Sequence, residues 1–515
     1  MNQNNISAAE LFLRVRELLI LPELEPKTRN KMMHDTLILC CHEGVKDTKQ
    51  AFGNLFSQVD YLCKARGIKV ADKIAIQTMR RHSNSQEPLS GEDLKYDARA
   101  LTLFISAVFE ERIPHEVNVL IPHINRPFQK GLEINNRRIR CIVKNWDSDF
   151  IRVDIDQDAD EEEYLVRLKD EENHIDHTYL WDLLKEGMQL NLLDCQVKQP
   201  IITPRLIVVE PDYLVDISSI ATCFTAFGHH PLLYLLNLMK PRANTQATLL
   251  GNFAGAALDD IINSHGKYQV NETVKSNFRE KALEFCTCPW FDAKKFYTDA
   301  SLQAFNLQQV VDILFPRTAS QAKMSAFRGE SLYDRKKAIL EPSFVCEALG
   351  IQGRVDLMTT DCKLLVEQKS GRNMNIETHQ VDPAYHSYQL EPHYVQLLLY
   401  YGVLQHNFKL SNDRVNIRLL YSKYQPQDGL MVVAYYQKLF KEAIEYRNQL
   451  VAASFEIAKE GFEHTLNEFT PEVLNVAGTQ DFFYNKYLKP QIEAITNPLH
   501  DLSPLEEAYF CRMMT

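Results

Sequence analysis

The chain has 515 residues, of which 45% are apolar and 24% charged, and its formal net charge is -11. That length predicts several packed units rather than one core. No apolar run approaches the roughly 18 residues that span a bilayer, and the first residues carry no secretory leader pattern, so a cytoplasmic protein with no membrane partner is expected. The acidic balance excludes a uniformly basic nucleic-acid coat but leaves room for a local positive channel.

From Ala8 to about Arg112 apolar residues recur at three and four, as in AAELFLRVRELLI and ALTLFISAVFEER, which predicts a helical bundle domain over 1–115 with a packing or docking role. Between Val117 and Val209 the pattern turns to short alternating runs such as RRIRCIVKNW and RLIVVE. These predict a β-rich domain over 116–210, compatible with an OB-like barrel, although aromatic stacking platforms are not obvious in it. The acidic stretch DQDADEEEY at 156–164 reads as a solvated loop, since it lacks calcium-loop spacing.

Residues 211–430 read as α/β, with helices near 232–240, 246–263, 272–285, 301–314 and 387–406 and strands near 351–359, 363–370 and 414–422. After Gly429 the pattern is helical, and 431–515 reads as a segment leading toward a further partner domain. Eleven scattered cysteines indicate reduced thiols. The close pair Cys286 and Cys288 has too short a gap for a zinc site and reads as buried thiols at a helix end.

The chemistry concentrates in LEPSFVCEALGIQGRVDLMTTDCKLLVEQKSGR, residues 340–372. Side chains alternate along a strand, so Glu367 and Lys369 project to one face and Gln368 to the other. A turn at 359–361 folds the strand ending near Asp356 beside them. Two carboxylates and one ammonium thus converge, a donor set that suits Mg2+ or Mn2+, which take one or two carboxylates and keep several waters. The Gln368 backbone carbonyl offers a further oxygen. Lys369 is expected to stabilise charge and position water rather than abstract a proton. In the helix HYVQLLLYYGVL, Gln396 and Tyr400 lie one turn apart with His393 on the same side, a polar stripe that needs a partner when buried. Arg354, Lys363 and Arg372 add positive charge nearby.

A Gly-Arg-hydrophobic-Asp strand, a Glu-X-Lys-Ser-Gly strand and a Gln-X-X-X-Tyr helix occur in that order. This set resembles the RecB-like nucleases of the PD-(D/E)XK superfamily, and within them the nuclease part of the flap-processing helicase-nucleases. The resemblance covers about 211–425. It implies a multidomain α/β protein whose restriction-endonuclease-like core, a mixed sheet flanked by helices, follows a helical domain and a small β-barrel. It implies a metal-dependent deoxyribonuclease acting on single-stranded, flapped or unwound DNA in replication, repair or recombination, with Asp356, Glu367, Lys369, Gln396 and Tyr400 at its centre. Metal-binding candidates are Asp356, Glu367, Gln368, Glu341, which matches an acidic position of those enzymes, and Asp259.

Two departures accompany the resemblance. Where the family has Gly-X-X-X-His with a metal-binding histidine, this chain has Gly251 and then Gly255, and Asp259 one turn further is the candidate replacement. The iron–sulfur cluster of some members needs one cysteine before the core and three after it. Cys223 fits the first, but only Cys511 follows the Gln-X-X-X-Tyr helix, so no cluster is expected. No GxxxxGK[ST] phosphate loop occurs, so a helicase motor is expected either in cis, outside these residues, or in trans. A catalytically lapsed, DNA-binding or helicase-docking scaffold is the alternative reading.

Overall fold

The computed structural model describes residues 6–515 apart from 22–23, 86, 127–131, 156–162, 226–227, 240–243, 265–267, 383–385, 411–413, 469, 476–481 and 483. The expected acidic loop lies mainly outside the described residues. The architecture is mixed α/β. No helix among the described residues is long and apolar enough to cross a membrane.

The helices Ala8–Ile20, Pro26–Val45, Leu55–Ala65, Val70–Asn84 and Gly91–Phe109 pack their apolar stripes into one core around Phe12, Leu37, Leu62, Met79 and Leu101. Ser7 and Ser90 start the first and last of them with capping boxes, satisfying amides that the helix itself leaves unpaired. Between the second and third helices the chain leaves the bundle as the short strand Ala51–Phe52.

The β-rich segment closes on itself. Strand Asn136–Trp146 pairs with Phe150–Ile155, which pairs with Tyr164–Arg167. That strand runs parallel to Ile201–Thr203, which pairs with Gln189–Lys198, which returns to Asn136–Trp146. The result is a small five-stranded barrel filled by Val143, Ile151, Val153, Val166, Leu190, Leu192 and Ile202. Leu206–Val209 extends Gln189–Lys198 on its other edge.

The remaining chain builds a mixed sheet whose order is Ala51–Phe52, Leu430–Val433, Asn416–Tyr421, Leu364–Lys369, Leu357–Thr359 and Ala338–Leu340. Leu364–Lys369 is internal. It is antiparallel to Leu357–Thr359 and parallel to Asn416–Tyr421, and the helix Glu391–Phe408 lies between those parallel strands in sequence, as a crossover requires. Leu364 and Val366 pack under the helices Gln246–Asn263 and Ala293–Leu314, whereas Leu365 packs with the Glu391–Phe408 helix. Burial on both faces explains why this strand reads as an unbroken apolar run up to Glu367.

Two expectations change. The strand read across 351–359 is two strands: Ile351–Arg354 joins a separate sheet with Val215–Asp216 and Ser343–Cys346, while Leu357–Thr359 joins the main sheet. Asp356 sits at the transfer between them. The segment after 430 is not an outlying connector either. Strand Leu430–Val433 crosses that boundary, and helix Gln437–Glu460 buries Leu439, Phe440, Ala443, Ile444 and Val451 in the largest core. From this helix the fully buried Arg447 donates to the carbonyls of Gly350, Tyr213, Glu210 and Val209. Next to it, Asn448 accepts from the Val209 amide at 3.0 Å and donates to the Ile207 carbonyl at 2.8 Å. One turn of helix therefore fastens the barrel to the α/β unit, through backbone groups that would otherwise be buried unpaired.

Candidate active and metal centre

The alternation of the Leu364–Lys369 strand sorts its polar residues onto two sides. Glu367 and Lys369 share the face of Leu365, toward the Glu391–Phe408 helix. Lys369 Nζ donates to Glu367 Oε1 at 2.8 Å and to Gln396 Oε1 at 2.8 Å. Its ammonium is thereby fixed between a carboxylate and an amide. Gln396 Nε2 also points to Ser218 Oγ at 3.5 Å. One turn on, the buried Tyr400 donates its hydroxyl to the Arg354 carbonyl at 2.6 Å. A Cβ at Gly353 would lie 3.0 Å from Tyr400 Cε1, so the glycine lets the ring lie against this backbone just ahead of Asp356.

Gln368 takes the opposite face, as its parity requires. Its Nε2 donates to Ser422 Oγ at 2.7 Å, Ser422 Oγ donates to Gln303 Oε1 at 2.7 Å, and Gln303 Nε2 donates to the Ser370 carbonyl at 3.2 Å. Asn306 Nδ2 donates to the Ser422 carbonyl at 3.0 Å. This buried network holds the end of the Glu-X-Lys strand to the helix Ala293–Leu314. Sequence reasoning missed Gln303, Asn306 and Ser422, which are distant along the chain and carry no recognisable spacing.

Asp356 meets the strand at its backbone: the Gln368 N–H donates to Asp356 Oδ2 at 2.5 Å. Both backbone polar groups of a strand residue face the same neighbour, so the Gln368 carbonyl is directed to the Asp356 side too. Burial raises the Asp356 carboxyl above its ordinary range, against the lowering effects of the Gln368 N–H and Lys369. Glu367 is only 2% exposed, and burial together with repulsion from Asp356 pushes its carboxyl up to about 8 despite Lys369. Glu367 Oε2 is buried without any hydrogen-bond partner.

The secondary candidates approach from a second side. Asp259, on helix Gln246–Asn263, is raised to about 6 by burial and by the negative charges of Glu341, Asp260 and Asp356. Glu341 is exposed, pairs with Arg354 at 3.0 Å, and its N–H donates to the Asp356 carbonyl at 3.0 Å. Asp259, Glu341, Asp356 and Glu367 therefore share one negative field. A Cβ at Gly255 would meet nothing within 4 Å, and one at Gly251 would come 3.2 Å from Ser370 Oγ, which places this helix directly over the strand end.

Not every candidate joins the centre. His393 turns to Tyr421, with its Nδ1 3.1 Å from the Tyr421 hydroxyl, and burial pushes its pKa down to about 3. Arg372 pairs with Glu377. Cys223 is buried in the main core and Cys511 packs beside Phe462 and Leu466. Cys288 is buried as expected, but Cys286 is exposed, because only one of two thiols so spaced can turn inward here.

Among the described residues, no group of three or more His, Cys, Asp or Glu side chains forms a ready metal cage. A Mg2+-type ion does not require one, since waters and substrate phosphate complete its shell. The unpartnered Glu367 Oε2 beside Asp356, both hard oxygen donors, fits such an ion. No protein-family model and no curated protein sequence matches this chain.

Proposed function

We propose that the chain is a divalent-metal-dependent nuclease that hydrolyses phosphodiester bonds in single-stranded, flapped or unwound DNA, with a restriction-endonuclease-like core. The observation that carries the reading is the buried Glu367 carboxylate, one oxygen on Lys369 and the other without a partner, beside Asp356. Lys369 meets only one of its oxygens, and keeping the group ionised with the other buried and unpartnered is costly unless a further cation meets it. A sheet whose internal Glu-X-Lys strand is flanked by one antiparallel and one parallel neighbour supports the family resemblance, and the closed five-stranded ring supports an OB-like barrel.

Asp356 and Glu367 would hold the ion, with the Gln368 carbonyl, Asp259 and Glu341 as further oxygens within the same field. Bound Mg2+ or Mn2+ supplies polarisation of the phosphate and a water of lowered pKa. Lys369, fixed by Glu367 and Gln396, sets a positive charge where the phosphate gains negative charge. Tyr400 holds the Arg354 backbone and with it the turn that presents Asp356. A helicase motor, in cis or in trans, would deliver the strand.

The test compares cleavage of labelled single-stranded and flapped DNA in magnesium, manganese or chelator, for the native chain and Lys369→Ala. Metal-dependent cutting that disappears in the variant supports the site. The glycine at position 255, where the RecB-like nucleases that the chain resembles carry a histidine ligand, favours the lapsed-enzyme alternative. DNA binding without cutting in any metal would select that alternative.

A further inference from the structure

We propose that Trp290 is a stacking platform for a base of single-stranded DNA, with Lys294 and Lys295 beside it to take the backbone phosphates. The inference rests on the nuclease reading and names how its substrate is held. Trp290 is 97% exposed, in the turn between helices Ala282–Thr287 and Ala293–Leu314. A tryptophan seldom gives up its burial so completely. Its φ is 56°, a left-handed conformation that is unfavourable for a bulky side chain, and no packing of the indole compensates.

The perch beneath it is rigid. The adjacent Phe291 ring lies 5.4 Å from Phe285, 5.5 Å from Phe296 and 6.0 Å from Phe278, and Phe278 stacks on Phe285 at 4.0 Å. An aromatic cluster thus anchors one residue and aims its neighbour outward. The perch is also tied to the candidate centre: the Asp292 N–H donates to Gln246 Oε1 at 2.9 Å, at the start of the helix whose Gly251 lies against Ser370. At 1.5 Å per helical residue Gln246 and Gly251 are about 8 Å apart along that helix. Lys294 and Lys295 are exposed in the first turn of the helix that follows it, four and five residues on. A flat indole with flanking ammonium groups suits a nucleobase and its phosphates, since every base offers a π face.

The experiment measures anisotropy of a labelled oligothymidylate with the full chain in chelator, for native protein, Trp290→Ala and Trp290→Phe. Because Trp290 contributes nothing to the core, each variant should melt as the native chain does. The Ala variant should bind about tenfold more weakly or worse, and the Phe variant should keep most of the affinity. Indole fluorescence should be quenched by the oligonucleotide in the native chain and lose that response in Trp290→Phe, although Trp146 and Trp181 remain. Unchanged affinity in Trp290→Ala, or no binding by the native chain, overturns the proposal. Native cleavage in magnesium, scored separately, isolates the two ideas. Stacking without cutting removes the nuclease reading alone, and cutting with unaltered Trp290→Ala binding removes this inference alone.

Discussion

The Gln368 amide donates to the Asp356 carboxylate at 2.5 Å, so the middle residue of Glu-X-Lys fixes the aspartate through its backbone while its side chain points the other way, to Ser422. One strand residue therefore locks two sides of the candidate centre. That geometry separates groups expected to act on DNA from groups that hold them in place.

Asp356→Ala and Lys369→Ala should each lower metal-dependent cleavage by at least about a hundredfold, the usual loss when one preorganised charge-stabilising group is removed. Circular dichroism and melting should show a folded chain in both cases. Full activity in either variant would sink the assignment.

Magnesium or manganese should raise the melting temperature of the native chain in proportion to the logarithm of metal concentration, as for any ligand of the folded state. Asp356→Asn should abolish most of that rise. An equal rise in the variant would place the ion elsewhere.

Ser422→Ala removes the hub between Gln368 and Gln303. It should cost about 1–3 kcal/mol in urea unfolding, since both amides become buried with unsatisfied groups. A change under a few tenths would show that water replaces the hydroxyl.

Gly255 lies inside a helix with open space around its missing side chain. Gly255→Ala should therefore stabilise the fold by about 0.5–1 kcal/mol. Gly255→His should fold equally well and bind Mn2+ more tightly than the native chain in calorimetric titration. Destabilisation of both variants would show that the position is crowded after all.

His229 links two helices, with Nε2 2.8 Å from Glu391 and Nδ1 2.6 Å from Glu442. Burial alone would lower its pKa, but the two carboxylates outweigh that and raise it to about 9. A raised imidazolium contributes stability that is fully present below about pH 6.5 and is lost as pH rises through about 9. The melting temperature should fall across that window by the equivalent of about 3 kcal/mol, and His229→Gln should flatten most of the slope.

Glu367 with Lys369, and Gln396 with Tyr400, were legible as pairs because strand and helix periods decide which neighbours within a short segment share a face. The mixed α/β class and the β-rich character of 116–210 were readable from local alternation, but the closure of that segment into a barrel was not, since it depends on Asn136–Trp146 meeting Gln189–Lys198 and Tyr164–Arg167 meeting Ile201–Thr203. What local patterns do not carry is pairing between distant segments. The break at Asp356 depends on Val215–Asp216 claiming Ile351–Arg354 for a different sheet. Gln303 and Asn306 look like ordinary polar positions of a half-buried helix until Ser422 is brought beneath them. Trp290 carries its information only in its exposure, which no sequence period reports.

Strand Ala51–Phe52 pairs in parallel with Met431–Val432, so the edge of the main sheet joins a residue synthesised early to one synthesised late. The Glu-X-Lys strand itself waits for Asn416–Tyr421. A chain emerging from the ribosome thus displays its bundle and barrel first, both closed by nearer contacts, while the acidic centre assembles only once synthesis has passed Tyr421. Such long-range closure slows folding, and it also means that a truncated translation product would carry the whole motif without the sheet that shapes it.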